Sequence, residues 1–423
     1  MKYNKNDFHI AKRPILFIAN SSWYLAHYRL GLISECSKLN RVISISPIDS
    51  STKILSNISL HIPWDIKRRN ARSPIEFISA SIKMYLILRL LKPKLIHSHT
   101  LKSNLIITLC SSLLRIPCVL SFAGLGNLNL GNKRILLKFI LKVIYFIGTF
   151  ERNSFIYFSK NHSRTKYIFQ NPKDKRIFED LCNPVNTDIS LIPGSGIPNQ
   201  LINFSKENLE GLDNNLQKKL DKKIIGCIYC GRLLKSKGID IFINIAKIDQ
   251  NRKYYVYGDI DESSSDSLTE KEVKDLKNLK NLKVKGFVSN PLLKFQRKPF
   301  VLIVPSIYGE GLPRAIAEAL LLEIPVISSI QALSEVFTDK MIYVVNDRDP
   351  KSYLKAIDSI DKEIGLKNFY KKIKIGKNFV LNNMDEKKIV KETLKIYKMF
   401  QKDYKNIYLN DIYSLYSSDR LQK

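Results

Sequence analysis

The 423-residue chain has little cysteine and no long apolar run, and each shortage closes off a class of function. Its six cysteines, Cys36, Cys110, Cys118, Cys182, Cys227 and Cys230, are scattered without the even framework of a disulfide-stapled protein, which suits a reducing compartment. Cys227 and Cys230 do form a C-x-x-C. They sit at the end of the apolar run Ile224 to Tyr229, where a strand points residues three apart to opposite faces, and no second pair completes a zinc site. No window reaches the ~18 uninterrupted apolar residues of a spanning helix. The segment from Met1 to Pro14 is polar and lacks the apolar core of a signal peptide, so the expected location is the cytoplasm. Acidic residues are also scarce: 39 against 69 lysines and arginines give a formal charge of +30. That excess favours acidic partners such as nucleic acid, anionic lipid or phosphorylated substrates. Lysine, isoleucine and asparagine are heavy everywhere, however, even in a polar stretch that reads as a surface helix at 271–285, so charge alone does not choose among them.

What is present is enough for two hydrophobic cores. A chain of this length favours two domains, and 44% hydrophobic residues with 10% aromatics exclude wholesale disorder. The first half alternates. Pro14 to Asn20 reads as a strand, Leu25 to Leu39 as a helix and Val42 to Ser46 as a second strand. A helix over Ile75 to Leu91 stops before Pro93, Leu95 to His97 is a strand, Ser103 to Leu114 a helix and Pro117 to Phe122 a strand. Lys206 to Lys223 is polar and reads as an interdomain connection. A second series follows: strands at Ile224 to Tyr229, Tyr254 to Tyr257, Leu282 to Phe287, Phe300 to Val304 and Pro325 to Ser328, with helices at Gly238 to Ile248 and Arg314 to Leu322. The fold class is therefore α/β, two doubly wound parallel-sheet domains of Rossmann-like character facing across a cleft. The expected division is 1–205, 206–385, and a C-terminal helical segment 386–423 that packs back toward the first domain.

The most informative segment is Ser306-Ile307-Tyr308-Gly309-Glu310-Gly311-Leu312-Pro313-Arg314-Ala315-Ile316-Ala317-Glu318-Ala319-Leu320. A glycine-bracketed carboxylate in a strand-to-helix turn, Pro313 at the helix start and Glu318 a turn inside put two acids near one helix N-terminus. Backbone N–H groups there hold an anion, while the carboxylates accept hydrogen bonds from hydroxyls. Phosphate plus polyol describes a sugar nucleotide. A second constellation, Gly231-Arg232-Leu233-Leu234-Lys235-Ser236-Lys237-Gly238, follows the strand Ile224 to Tyr229 and offers two cations to a diphosphate leaving group. Either motif alone is weak, because two bases in a loop are ordinarily just solvated.

Together these residues resemble the retaining glycosyltransferases of family four, which have the GT-B fold. The pattern E-G-x-P-x-x-x-x-E-A is met by Glu310, Gly311, Pro313, Glu318 and Ala319. The G-R-L…K-G pattern is met by Gly231, Arg232, Leu233, Lys237 and Gly238. Pro193-Gly194-Ser195-Gly196-Ile197 is similar to the family's P-G-S-G-V cleft segment, Arg29 to its arginine after the first strand, and His97-Ser98-His99 to its H-x-H strand end. The resemblance runs from about Pro14 to about Tyr397. It implies transfer of a hexose or N-acetylhexosamine from a nucleotide donor, with UDP the expected nucleotide, and retention at the anomeric carbon. Arg232 and Lys237 would stabilise the diphosphate, Glu310 would bind hydroxyls of the sugar and Glu318 the ribose, with Phe287 and Val288 beside the base and Gly311, Leu312 and Pro313 completing the donor side. Arg29, His99, Gly124, Gly126, Gly194, Ser195 and Gly196 would line the acceptor side. No cofactor and no essential metal are expected.

Three departures stand out. The loop Phe122-Ala123-Gly124-Leu125-Gly126 lacks the histidine often found there, Glu323 replaces a usual glycine, and Ser328 to Glu335 lacks the glycine before its glutamate. Asp259-Ile260-Asp261 and Asp347-Arg348-Asp349 match the metal-holding D-x-D of a different transferase fold, but both read as turns. His97 and His99 lack a third ligand and read as structural. At 132–150, Arg134, Lys138 and Lys142 make a basic stripe on an otherwise apolar helix, either a buried helix with snorkelling bases or one lying on lipid. Lys67, Arg68, Arg69 and Arg72 would add attraction to anionic headgroups. The favoured reading is attachment to the inner face of the cytoplasmic membrane, with a polyprenyl-diphosphate-linked or other glycan acceptor, as in O-antigen, capsule or related surface-polysaccharide assembly. A sugar-nucleotide epimerase on the same architecture would need acid/base groups that the sequence does not display. A nucleic-acid-binding protein would need a recognition helix, zinc spacing or an aromatic RNA motif, and none is present.

Overall fold

The computed structural model describes residues 13–66, 74–125, 133–153, 164–207, 223–261 and 264–400. The first domain opens with β1 (Ile15–Ile18), α1 (Ser22–Tyr28), α2 (Leu30–Ser37), β2 (Val42–Ser46), α3 (Thr52–Ser56) and β3 (Leu60–Pro63). It continues with α4 (Pro74–Leu91), β4 (Leu95–His99), α5 (Leu101–Leu114), β5 (Cys118–Phe122), α6 (Lys133–Asn153), β6 (Thr165–Phe169), α7 (Pro172–Cys182) and β7 (Ile189–Leu191). The sheet order is β3-β2-β1-β4-β5-β6-β7, with every pairing parallel. Its central strands are buried on both faces, as a parallel sheet covered by crossover helices requires. One face packs on α4 to α7 through Met84, Leu88, Leu137, Leu141 and Phe178. The other packs on α1 to α3.

After α8 (Asn199–Glu207) the second domain runs through β8 (Gly226–Cys230), α9 (Ile239–Ile248), β9 (Lys253–Tyr257), α10 (Glu270–Asp275), β10 (Leu282–Val284) and β11 (Phe300–Val304). It closes with α11 (Arg314–Leu321), β12 (Val326–Ser329), β13 (Tyr343–Val345), α12 (Pro350–Glu363) and α13 (Lys367–Asn383). The parallel order is β10-β9-β8-β11-β12-β13. Cys227 and Cys230 point into opposite layers, one toward Phe242 and Tyr254, the other toward Ile316 and Leu320. Burial pushes the Cys230 thiol well up and, as the largest influence, raises Cys227 too, so neither is a ready thiolate.

The boundary between the domains differs from the expected 205/206. Ile197, Leu201 and Ile202 pack with Ile316 and Leu320, and the Ser205 hydroxyl donates to the Leu321 carbonyl at 3.1 Å, so α8 belongs to the second core. The chain crosses at Ile197, which bridges in parallel to Asp385, with Ile197 N–H on Met384 O at 2.7 Å. A last helix, α14 over 386–400, returns to the first domain through Ile389, Ile396, Tyr397 and Phe400. Of the expected connection Lys206 to Lys223, 208–222 lie outside the described residues.

Two helices depart from the sequence reading. The helix expected over Leu25 to Leu39 breaks at Arg29, which has φ −130° and ψ 1°. The stretch 271–285 is not one surface helix: α10 opens on a Thr269–Glu272 capping box but stops at Asp275, and the chain turns into β10.

Candidate active site

The second domain builds its site at the carboxyl ends of β8 and β11, its two central neighbouring strands. After β8, Gly231 N–H bonds Tyr257 O and Gly258 adopts φ 145°, so the loop passes main chain to main chain against the strand-end turn beyond β9. Gly238 at φ 74° has its missing Cβ 2.1 Å from Pro305 O; only glycine lets this loop close on the end of β11. The result is an ion pair between Lys237 Nζ and Glu310 Oε2 at 2.9 Å, whose side chains are 20% and 11% exposed. The Ser306 hydroxyl donates to the other Glu310 oxygen. Burial alone would raise the Glu310 carboxyl, but the charge of Lys237, the Ser306 hydroxyl and the charge of Arg232 hold it below its ordinary value. Burial likewise opposes the Lys237 ammonium, and Glu310 outweighs it and raises Lys237.

Arg232 is paired with Asp261, and Asp259 accepts the Phe287 N–H at 2.9 Å. Both carboxylates of this D-x-D therefore hold the loops beside the cleft. In the other, Asp349 caps α12 through the Lys351 N–H and Asp347 accepts from Asp349 N–H and Ser352, which is the expected turn. Glu318 accepts from Arg314 Nε at 2.7 Å; burial raises its carboxyl and Arg314 pulls it back.

The first domain closes this site from the other side. Arg314 Nη1 donates to His27 O at 2.7 Å, and its guanidinium lies 5.5 Å from the centre of the Tyr28 ring. Burial raises the Tyr28 phenol; Arg314 and Lys237 lower it, while Glu318 and Glu310 raise it, so this tyrosine of the first domain stands within the field of four charged groups of the second. Phe287, half exposed, meets Trp23 and His27 edge-on at 6.5 and 5.8 Å. Val288 packs into the second core. Trp23, His27 and Tyr28 escaped the sequence reading because a short amphipathic helix carries no motif; the aromatic run in α1 was the available signal.

Arg29 is buried and donates to His99 Nδ1 at 3.3 Å, to Gly194 O at 3.2 Å and to Tyr24 Oη at 3.2 Å. These three anchors account for the break between α1 and α2. His99 is fully buried, and burial followed by the charges of His97 and Arg29 holds it well below the usual imidazole range, hence neutral. His97 bonds Tyr397 Oη of α14 at 2.5 Å and Ser121 Oγ at 2.7 Å, a structural role. Ser195 turns its hydroxyl on Gly196 O at 3.4 Å. Gly194 (φ 67°) abuts Leu312, and Gly196 (φ 78°) abuts the Glu386 backbone. Gly124 (φ 104°) places its missing Cβ 2.6 Å from Gly311 N, and that of Gly311 would lie 2.4 Å from Ala123 O. No histidine or other side chain fits at Gly124. Gly126 lies outside the described residues. Pro313 caps α11 instead of occupying its first turn.

The chain matches two sequence families, "Glycosyl transferases group 1" over residues 211–374 and "Glycosyl transferase 4-like" over 14–149. Together they span both domains. The chain is a GT-B glycosyltransferase of the GT4-like kind. No curated protein matches it in sequence. Among solved structures, the transferase is similar to HepE from Anabaena in complex with UDP (14% identity, TM-score 0.65, covering 91% of this chain and 100% of that one). It is also similar to a glycosyltransferase from Rickettsia africae (17%, 0.66, 92% and 99%) and to sucrose-phosphate synthase from Thermosynechococcus elongatus (17%, 0.66, 93% and 100%). HepE has also been solved with UDP and glucose and with UDP-glucose.

One departure from the family pattern, the missing glycine before Glu335, now has a physical account. Ser334 adopts φ 50°, the left-handed backbone a glycine would supply, and its hydroxyl donates to Glu310 O. Asn171 of the first domain donates to Gly311 O at 2.9 Å and to Asp174 Oδ2 at 2.9 Å, and Leu125 N–H donates to the same Asp174 oxygen at 3.1 Å. Burial pushes the Asp174 carboxyl up to about 6 against these donors. A carboxyl raised on folding binds its proton more tightly in the native state, so its contribution favours the native state at low pH. That contribution is lost as pH rises from about 4 through about 6. Replacing Asp174 with asparagine, whose carbonyl oxygen can accept both donors, should flatten this segment: melting temperatures of variant and wild type, compared from pH 4.5 to 7.5, should diverge in the variant's favour as pH rises. A constant difference across that range would show that Asp174 does not titrate there.

Proposed function

We propose that this glycosyltransferase moves a hexose or N-acetylhexosamine from a UDP-linked donor, with retention, onto a lipid-diphosphate-linked saccharide at the inner face of the cytoplasmic membrane, in surface-polysaccharide assembly. The observation that carries the donor reading is the Lys237–Glu310 pair at the β8 and β11 termini, flanked by Arg232 and facing the first domain's Gly124 loop. A cation and a carboxylate held together can divide one ligand between them. Lys237 and Arg232 take the diphosphate as negative charge grows on it; Glu310 takes sugar hydroxyls. Glu318, held by Arg314, takes ribose hydroxyls, and Phe287 with Trp23 and His27 offers an aromatic wall to the base. The UDP and UDP-glucose complexes of HepE support the choice of nucleotide.

In this reading two side-chain cations supply the charge that a metal brings elsewhere, so transfer should persist in excess EDTA. Loss of turnover in EDTA with recovery in manganese would return attention to Asp259 and Asp261. A donor screen that follows UDP release with and without a lipid-linked acceptor tests the rest. Interconversion of the donor sugar without release would identify an epimerase, and release indifferent to the lipid would remove the lipid-linked acceptor.

The reading also takes the transferase to be a peripheral membrane protein; among the described residues no helix is long and apolar enough to cross a membrane. α6 buries Leu137, Leu141 and Ile144 against the core and exposes Arg134, Lys138 and Lys142. It is thus a surface helix with one buried face, not a buried one. Lys67, Arg68, Arg69 and Arg72 lie outside the described residues.

A further inference from the structure

α4 carries a second apolar face that nothing among the described residues covers. Its inward side, Ala80, Met84 and Leu88, is buried in the first core. Its outward side repeats Ile78, Ile82, Leu86 and Leu90 at four-residue steps, beginning one turn earlier at Ile75. These five side chains are between 55% and 82% exposed. A soluble surface helix carries polar residues there. The bases Lys83 and Arg89 flank the stripe and are exposed as well.

The crossovers β3-α4-β4, β4-α5-β5 and β5-α6-β6 all step the same way along the sheet, so α4, α5 and α6 share one face. α5 packs between the other two and is sunk: only Leu113 of its fourteen residues is exposed. α4 and α6 flank it. Outward on α6 are Ile135, Leu136, Phe139 and Phe146, 52% to 76% exposed, among the exposed bases Arg134, Lys138 and Lys142. Scattered exposed apolar residues need no explanation, but nine on two helices of one layer, interleaved with five cations, form an ordered patch.

We infer that α4 and α6 form a single lipid-docking face, in which the isoleucine-leucine stripe of α4 enters the acyl boundary of an anionic bilayer while the bases of both helices meet its headgroups. This rests on the membrane-attached reading above and deepens it, because the bases alone would give only electrostatic adsorption. Charge complementarity selects the occupant. A second copy of the chain would bring five cations against five, whereas an anionic lipid surface attracts every one. The face also reaches the cleft: Arg134 at the start of α6 lines a groove of about 380 Å³ with Lys173, Arg176 and, from the second domain, Glu335. A bilayer on α4 and α6 would lie beside this interdomain groove.

The test uses the full chain, with vesicles of phosphatidylcholine alone or with phosphatidylglycerol, at low and high salt. Two triple variants are compared, one replacing Ile78, Ile82 and Leu86 with serine, the other replacing Arg134, Lys138 and Lys142 with glutamine. The serine variant should lose roughly a hundredfold in binding to anionic vesicles, with the loss persisting in high salt. The glutamine variant should lose about a hundredfold on anionic vesicles at low salt and little at high salt. UDP binding in solution by both should match wild type, which shows that they fold. As an independent measure, Ile82→Trp should gain blue-shifted emission, quenched by brominated lipid, on adding anionic vesicles. Wild-type binding with an unaltered serine variant and a silent Ile82→Trp reporter would overturn the α4 assignment and leave peripheral attachment standing. Absence of wild-type binding to every vesicle would overturn both. A wild-type dimer in sedimentation velocity that the serine variant dissociates, without vesicle binding, would replace lipid with a second copy.

Discussion

Replacing Lys237 with alanine is expected to lower turnover about a thousandfold while the chain stays folded, because the side chain meets a partner in the cleft and not in a core. Its Nζ lies 2.9 Å from Glu310, and both groups are largely withdrawn from water. Two losses then combine. The diphosphate loses a cation that strengthens its hold as the glycosidic bond breaks, and Glu310 loses the charge that outweighs its burial. The sign of the second effect is fixed. Glu310 is held below its ordinary value in the native enzyme and stays ionised at neutral pH, so without Lys237 its carboxyl must rise and the acid limb of the pH–rate profile must move to higher pH. A structural role for Lys237 would depress turnover equally at every pH. Glu318→Ala should also abolish most transfer, through loss of the ribose contact and release of Arg314. Turnover equal to wild type in either variant would remove the donor-site assignment.

Glycine at position 323 is expected to destabilise the second domain by about 1–4 kcal/mol, although the sequence pattern makes glycine the ordinary residue there. Glu323 has φ 60°, a left-handed backbone that costs a side chain roughly 1–2 kcal/mol and that glycine would relieve. Against this, its carboxylate lies 3.1 Å from Lys377 Nζ and 3.3 Å from Arg297 Nε, and all three side chains are 10% exposed or less. Removing it leaves two buried cations unpaired, at a cost of about 3–5 kcal/mol, so the loss outweighs the relief. The measurement is the urea midpoint and melting temperature, with a fall of roughly 5–10 °C expected. Combining Glu323→Gly with Lys377→Met should recover much of the loss. A Glu323→Gly protein as stable as wild type would show that the triad contributes nothing beyond correcting its own backbone.

The legible part of this protein was what short range determines. β11 is an unbroken apolar run and β2 a valine-isoleucine run interrupted by Ser44 and Ser46; both are buried on both faces, and their spans were read without error. The glycine turns after β8 and β11 pointed to the proposed donor-side residues: Gly238 closes on Pro305 within its own domain, whereas Gly311 makes its close approach to Ala123 and Gly124 of the first. What was missed has local causes too. β3 is a four-residue edge strand with no fully buried residue, and β13 is three residues long, so neither carries an apolar signature. Cross-cleft geometry was illegible for a different reason. Arg314 meets His27 across 287 positions and Asn171 meets Gly311 across 140, and nothing in the sequence near either partner records the other. The basic stripe of α6 was legible by its period; the apolar stripe of α4 was not, because a helix apolar on both faces reads as ordinary core.

Gly124 and Gly311 meet with no side chain between them, and the 2.6 and 2.4 Å gaps to their missing Cβ atoms leave room for a hydrogen and nothing more. The two halves of the enzyme therefore rest on each other through bare peptide planes, beside Glu310, the carboxylate proposed to meet the donor. Such a junction works as a gauge block. Its thickness is set by covalent geometry, which neither salt, pH nor rotamer choice can alter, so whenever the halves come together they stop at the same separation. A methyl group at either position would act as a shim, holding the jaws apart by a fixed increment without removing any group that binds the donor.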